Sequence, residues 1–154
     1  MKTIKVIIAD DAKINNDLMA NALKEDNRIE LLGIAEDGIQ EYDLIKKYNP
    51  DLVITDNQMP NMNGIDVIKR IASEDLEVKP KFILVSGDSF GIFEKELNII
   101  RTFEKPIDFD ILKICIEDIF FRNDSEIEKA QIKTLELKNN QSMLVKILKI
   151  SNKK

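Results

Sequence analysis

The sequence predicts an α/β protein built on a doubly wound, five-stranded parallel sheet, followed by a helical tail. Three observations carry that expectation. Apolar, β-branched runs stand at Ile4–Ala9, Asp51–Thr55 and Pro80–Val85 without polar alternation, the mark of strands buried on both faces. Between such runs lie stretches whose apolar residues recur every three or four positions, the period of a helix with one buried face. Charged or hydroxyl residues then stand where strands end, at Asp10-Asp11, Asp56, Ser86 and Lys105. An open α/β sheet binds its ligand at that rim.

Taken in order, Ile4–Ala9 is the first strand, closed by Asp10-Asp11. Ile14, Leu18, Ala22 and Leu23 mark a helix from about Ile14 to Glu25 with those residues on its buried face. Ile29–Ala35 is the second strand, with Gly33 inside it and the turn Asp37-Gly38 after it. Ile39, Tyr42 and Ile45 give the second helix, stopped by Asn49-Pro50 because the residue before a proline is pushed out of the helical region. The central strand Asp51–Thr55 delivers Asp56 to its end, and Pro60 and Gly64 stop the following loop from continuing as strand or helix. Ile65, Ile68 and Ile71 form the face of the third helix. Pro80–Val85 is the fourth strand, a short irregular helix is expected over roughly Ser89–Leu97, and Ile99–Phe103 is the fifth strand. A last helix starts near Asp108 and carries Leu112, Cys115, Ile116, Ile119 and Phe120. Five strands alternating with five helices imply right-handed crossovers in one parallel sheet.

Composition narrows the chemistry. At 154 residues, 44% hydrophobic and 33% charged, the chain has room for one domain with a sizeable core plus an appendage. No run approaches the roughly 18 apolar residues of a membrane span, and the N-terminus meets carboxylates before any cleavage-like segment, so a cytoplasmic protein is expected. The single Cys115 cannot pair within the chain and reads as a buried structural thiol. The absence of histidine removes Ser-His-Asp and Cys-His catalysis, histidine metal sites and phosphohistidine chemistry on this chain. Charge is uneven: residues 1–123 hold 16 Lys+Arg against 24 Asp+Glu, and residues 124–154 hold seven Lys against four Asp+Glu. The acidic body should repel nucleic acid.

The sheet order brings Asp10, Asp11, Asp56, Ser86 and Lys105 to one rim. Three carboxylates held together repel one another, and a hard divalent cation with oxygen ligands relieves that cost, with Mg²⁺ the expected ion. Lys105 would add a second positive charge and Ser86 a hydrogen bond, an arrangement that favours attack by Asp56 on a phosphoryl donor to give an aspartyl phosphate.

These residues closely resemble the receiver domain of two-component response regulators. The resemblance covers about residues 4–121 through Asp10-Asp11, the turn Asp56-Asn57-Gln58-Met59-Pro60 with Asn63-Gly64 after it, Ser86-Gly87 and Lys105-Pro106, each at a strand end. It implies the flavodoxin-like receiver fold and makes Asp56 the phosphoacceptor. Asp11 and Asp56 would ligate Mg²⁺ together with the Gln58 backbone carbonyl, and Asp10 would act largely through water. Ser86 and Lys105 would contact the phosphoryl group, and the Lys105-Pro106 peptide would be cis. The partners implied are a histidine kinase or phosphotransfer protein and a downstream protein target. Two departures affect the switch region formed by Ser86, Thr102 and Phe103. Thr102 stands three places before the lysine, where the family carries an aromatic, and Phe103 is one place later. The segment between Ser86 and Lys105 is also shorter than the family norm by roughly one helical turn.

The expected organisation is a receiver domain at 1–123 and a basic amphipathic helical tail at 124–154, a stand-alone signalling module and not a turnover enzyme. Alternatives are a regulator whose output module is truncated, or a Mg²⁺-dependent phosphohydrolase with an aspartate nucleophile of the haloacid dehalogenase type. The latter wants an acid two places after the nucleophile, where this chain has Gln58. In the tail, Ser125 and Glu128 form a capping-box pattern, and Ile127, Ala130, Thr134, Leu137, Leu144 and Leu148 fall on a loose helical stripe. That stripe is expected to pack either on its own domain or across a homodimer.

Overall fold

In a computed structural model, residues 2–87 and 97–122 are described, together with Lys133 and Leu137. The chain divides into two compact units, Met1–Lys113 and Ile114–Lys154. The elements are β1 (Ile4–Ala9), α1 (Lys13–Lys24), β2 (Ile29–Ala35), α2 (Gly38–Tyr48), β3 (Leu52–Asp56), α3 (Gly64–Ser73), β4 (Lys81–Ser86), β5 (Ile99–Glu104) and α4 (Phe109–Phe120). All five strands are parallel in the order β2-β1-β3-β4-β5. Of the five helices expected, four lie among the described residues. The one placed over 89–97 falls outside them save for Leu97, as do the capping box and most of the tail stripe, of which Leu137 is exposed.

The three inner strands are dry. β3 is buried at every position, and β1 and β4 at all but one. Successive side chains point to opposite faces. Ile7, Val53, Phe82 and Leu84 therefore project to one face, where they pack with Ile45 of α2 and with Val67, Ile68 and Ile71 of α3. The inner ladders β1·β3 and β3·β4 run without interruption. Each outer ladder slips once, β1·β2 between Val6 and Ile7 and β4·β5 between Phe82 and Ile83.

Helix ends follow the local chemistry. Asp37 caps α2 by accepting from the Gln40 amide, and Asn63 caps α3 by accepting from the Asp66 amide. Asn49 closes α2 in the left-handed region at φ 45°, which asparagine tolerates. On the surface, Glu74 accepts from both Tyr42 Oη and Lys46 Nζ, and Arg70 lies 4.0 Å over the Tyr42 ring, so α2 and α3 are joined through polar groups too.

Two helix faces differ from the sequence reading. In α1, Ile14 and Leu18 are 67% and 50% exposed, and the buried face is Asn16, Met19, Ala20, Ala22 and Leu23. The stripe was misplaced because a polar residue, Asn16, occupies it: its amide donates to the carbonyls of Asp10 (2.7 Å) and Ala35 (3.2 Å), which satisfies buried polar atoms. In α2, Ile39 is exposed and the buried positions are Gly38, Glu41 and Ile45.

Gly38 is demanded by close approach. A Cβ there would lie 1.9 Å from the carbonyl oxygen of Met62, which is backbone and has no rotamer to retreat into. Gly38→Ala is expected to cost about 1–3 kcal/mol through this overpacking, read as a lower urea midpoint with unchanged m-value. An unchanged midpoint would show that the α2 start moves freely away from the loop carrying Met62.

Candidate functional site

Because β1 and β3 are adjacent and parallel, both end on the same rim. Asp10 and Asp11 follow β1 directly, and Asp56 is the last residue of β3. Each of the three offers one carboxylate oxygen within 4.8 Å of the others. Asp11 is exposed, Asp10 half-buried and Asp56 buried. Asp10 is fixed by its neighbours: Oδ1 accepts from the Ala12 amide at 2.8 Å and Oδ2 from Asn15 Nδ2 at 3.2 Å.

Lys105 closes the group. Its amide donates to the Ser86 carbonyl at 2.9 Å, which ties the loop after β5 to the end of β4. Its Nζ then lies 2.7 Å from Asp56 Oδ2 and 3.2 Å from Asp10 Oδ2. The peptide to Pro106 is cis. The other Asp56 oxygen, Oδ1, accepts from the Gln58 amide at 3.2 Å. Burial pushes the Asp56 carboxyl above the ordinary carboxylate value, and the ion pair with Lys105 offsets only part of that. Lys105 feels the reverse pull: partial burial lowers its ammonium, but the hydrogen bonds to Asp56 and Asp10 outweigh it and hold the lysine protonated.

The turn beyond Asp56 is built from the backbone outward. Asn57 donates its amide to the Val85 carbonyl, its own carbonyl accepts from Gly64 and its side chain accepts from Ile65. A Cβ on Gly64 would lie 2.4 Å from the Asp56 carbonyl oxygen, so glycine lets α3 start against the strand end. Ser86 is buried at the end of β4, one step beyond the Asp56–Val85 pair. Across β4·β5, Thr102 pairs with Leu84 and Phe103 with Val85, both half-buried. Beside the carboxylates opens a cavity of about 420 Å³ whose lining includes Asp10, Asp56 and Lys105 together with Leu18, Ile107 and Phe109.

Of the residues expected from the sequence, Asp10, Asp11, Asp56 and Lys105 converge, while Ser86 and Gln58 reach the group through the Ser86 carbonyl and the Gln58 amide. Three hard oxygen donors from carboxylates, balanced by one lysine, suit a small divalent cation better than a soft metal.

The model of the response regulator receiver domain matches residues 6–117, most of the chain. The chain belongs to the response regulator receiver family. It is 32% identical over 149 residues to a protein-glutamate methylesterase/protein-glutamine glutaminase of Methanococcus maripaludis, covering 91% of this chain and 40% of that protein. It is 28% identical over 145 residues to the sensory transduction protein LytT of Oceanobacillus iheyensis, covering 92% of this chain and 58% of that one. The chain thus spans about half the length of these relatives. Among solved structures, the signal receiver domain of the response regulator NarL from Mycobacterium tuberculosis superposes with a TM-score of 0.67 at 22% identity, over 79% of this chain and 100% of that one. A CheX-CheY-BeF3-Mg complex from Borrelia burgdorferi superposes with a TM-score of 0.66 at 21% identity, over 79% and 92%. These likenesses place the fold among receiver domains, which serve two-component signalling and bind Mg²⁺ at an acidic pocket of this kind. No described helix is long and apolar enough to cross a membrane.

The receiver site has a buried neighbour that the sequence reading passed over. Glu41 is fully buried under β3, its Oε2 is 2.8 Å from Thr55 Oγ1, and among the described residues its Oε1 has no hydrogen-bond partner. The signal was available: Glu41 stands on the apolar stripe between Gly38 and Ile45, where a carboxylate has no water. The charged residues flanking it on α2 and α3, Asp43, Lys46, Lys47, Asp66, Lys69 and Arg70, are all exposed. Burial pushes the Glu41 carboxyl up from 4.5 to about 8, against a smaller lowering by the Thr55 hydrogen bond.

This shift fixes a sign. Below the unfolded value both states hold the proton; above it the unfolded chain releases the proton first, so stability falls as pH rises and levels off once folded Glu41 also ionises near pH 8. Glu41→Gln cannot release a proton. The stability gap between variant and wild type is expected to widen in the variant's favour by up to about 1.4 kcal/mol per pH unit from pH 5 to pH 7.5. Urea melts at several pH values measure it, and a gap independent of pH would mean that Glu41 is ionised in the folded protein.

Proposed function

We propose that Asp56 accepts a phosphoryl group from a histidine kinase or phosphotransfer protein, with Mg²⁺, and that the modified chain switches its contacts with a downstream protein. The observation that carries this reading is the grip on Asp56: a buried carboxylate at a strand end, held by Lys105 on one oxygen and by the Gln58 amide on the other, with two further carboxylates beside it. In the transfer, an Asp56 oxygen forms a bond to phosphorus as the P–N bond to the donor imidazole breaks. The electron pair leaves with the ring, which departs neutral when its other nitrogen carries a proton. Mg²⁺, held by Asp11 and Asp56 with the Gln58 backbone carbonyl and by Asp10 largely through water, would withdraw charge from the phosphoryl oxygens. Lys105 neutralises Asp56 before transfer and lies where it can pair with a phosphoryl oxygen afterwards, while the Ser86 hydroxyl donates to another.

The switch runs through β4 and β5 in this reading. Ser86 and Lys105 are joined by a backbone hydrogen bond, so a pull on either is felt at Thr102 and Phe103. With Thr102 in the place of an aromatic, Phe103 is the residue that changes its packing. Residues 1–123 form the receiver and 124–154 a basic tail. The exposed Ile14 and Leu18 on α1 lie on the acidic site's flank and offer the phosphodonor an apolar contact, Leu18 also lining the cavity beside Asp10.

Acetyl phosphate with Mg²⁺ is expected to add one phosphoryl group by intact mass, and Asp56→Asn to abolish it; labelling that persists on another carboxylate overturns the assignment. Asp11→Ala should weaken Mg²⁺ binding at least tenfold by calorimetry and slow labelling with it, whereas Lys105→Ala should keep the metal and impair phosphorylation or its structural consequence. Leu18→Asp should leave acetyl phosphate labelling intact and slow transfer from a phosphorylated histidine protein, because only the latter needs the α1 surface.

A further inference from the structure

Two contacts meet at one hydroxyl. Thr55 Oγ1 lies 2.8 Å from Glu41 Oε2 and 3.1 Å from the backbone carbonyl oxygen of Asp56. A hydroxyl has one hydrogen to donate. Were Glu41 ionised, both neighbours would be acceptors competing for it, and the buried Oε1, without a partner among the described residues, would carry negative charge with no donor. A proton on Glu41 Oε2 removes the conflict. The acid donates to Thr55, Thr55 donates onward to Asp56, and Oε1 is left as an uncharged carbonyl oxygen, a far smaller cost.

The atom at the end of this chain matters. The Asp56 carbonyl belongs to the same residue whose carboxylate faces Lys105, and α3 begins against it. A Cβ on Gly64 would lie 2.4 Å from that carbonyl oxygen and 3.0 Å from Thr55 Oγ1. α2, β3 and the start of α3 thus meet on two oxygen atoms.

We infer that Glu41 is a positioning residue for the reaction at Asp56: as a neutral acid it donates to Thr55, whose hydroxyl then holds the Asp56 backbone carbonyl and with it the turn that aims the carboxylate. This rests on Asp56 being the phosphoacceptor. The residue touches neither metal nor phosphoryl group; it acts through Thr55. Glutamine at this position retains a donor and cannot ionise, whereas methionine fills similar volume with no donor. Serine at position 55 retains the hydroxyl and valine loses it.

The test is the rate of acetyl phosphate labelling of the full chain with Mg²⁺, beside thermal melts of each variant. Glu41→Gln and Thr55→Ser are expected within about twofold of wild type, and Glu41→Met and Thr55→Val about fivefold slower, the rate equivalent of one buried hydrogen bond. The double variant Glu41→Met/Thr55→Val should be no slower than either single one, since both break the same chain. The carbon-13 resonance of the Glu41 carboxyl, assigned by its loss in Glu41→Gln, is expected at the protonated position at pH 7. Folded Glu41→Met and Thr55→Val proteins labelling at the wild-type rate would overturn the inference alone, as would glutamine slowing the reaction as much as methionine. A carboxylate resonance at pH 7 overturns it without any reference to phosphorylation. A wild-type chain that takes no label overturns the phosphoacceptor reading, and the positioning role falls with it.

Discussion

The ion pair between Lys105 and Asp56 is the constraint on which the rest depends. Its partners are 49 residues apart in sequence, and they meet at 2.7 Å because β3, β4 and β5 are adjacent and end on one rim. Asp56 at the end of a dry strand would otherwise face Asp10 and Asp11 with no compensating charge. The interior strands are apolar so that the sheet forms without polar cost. The strand ends are polar so that the cost is concentrated where a lysine, backbone amides and a cation can meet it. Stability and the proposed reactivity therefore draw on the same few contacts, and losing Lys105 removes the charge that organises the carboxylates.

The fold was legible because the strongest signals were redundant. Each inner strand is a mostly apolar run whose end is marked by an acid or a hydroxyl, and the edge strand β5 leads into the lysine that precedes Pro106. The strands expected at Ile4–Ala9 and Ile29–Ala35 have those bounds, β3 and β4 lie one residue further along than expected, and β5 runs one residue longer. The helix faces were less legible, for a physical reason. Apolar periodicity identifies a buried stripe only when what is buried is apolar, and here two stripes contain polar residues with work to do. Asn16 on α1 ties Asp10 to Ala35, and Glu41 on α2 reaches Thr55. Ile14 and Leu18 drew the stripe towards themselves although both face solvent. The candidate site residues stand out by their places at strand ends; Asn16 does not, because a hydrogen bond between helix and strand leaves no period in the sequence, whereas Glu41 is marked only by standing on an apolar stripe.

The exposed Ile14 and Leu18 and the buried Asn16 and Glu41 are complementary departures from the simple rule that apolar residues go inside. On α1 the apolar residues Ile14 and Leu18 are outside, and the polar residue Asn16 is inside, where the carbonyls of Asp10 and Ala35 accept from it. On α2 the carboxyl of Glu41 is fully buried, which costs stability as pH rises towards neutrality. Positions at which a sequence gives up stability in this way are where function is to be sought.

The slips in the outer ladders bear on how the molecule behaves in a crowd. β2 and β5 are the sheet's edges, and an edge strand offers unpaired amides and carbonyls to any other extended chain. Each edge is joined to its neighbour through a ladder that breaks register once, while the two ladders that flank β3 and carry Asp56 do not. A break of that kind twists the strand and interrupts the flat hydrogen-bonding row that strand-to-strand aggregation needs. Irregularity is thus confined to the borders, where it discourages intermolecular sheet growth, and kept away from the interior rows that aim the carboxylates.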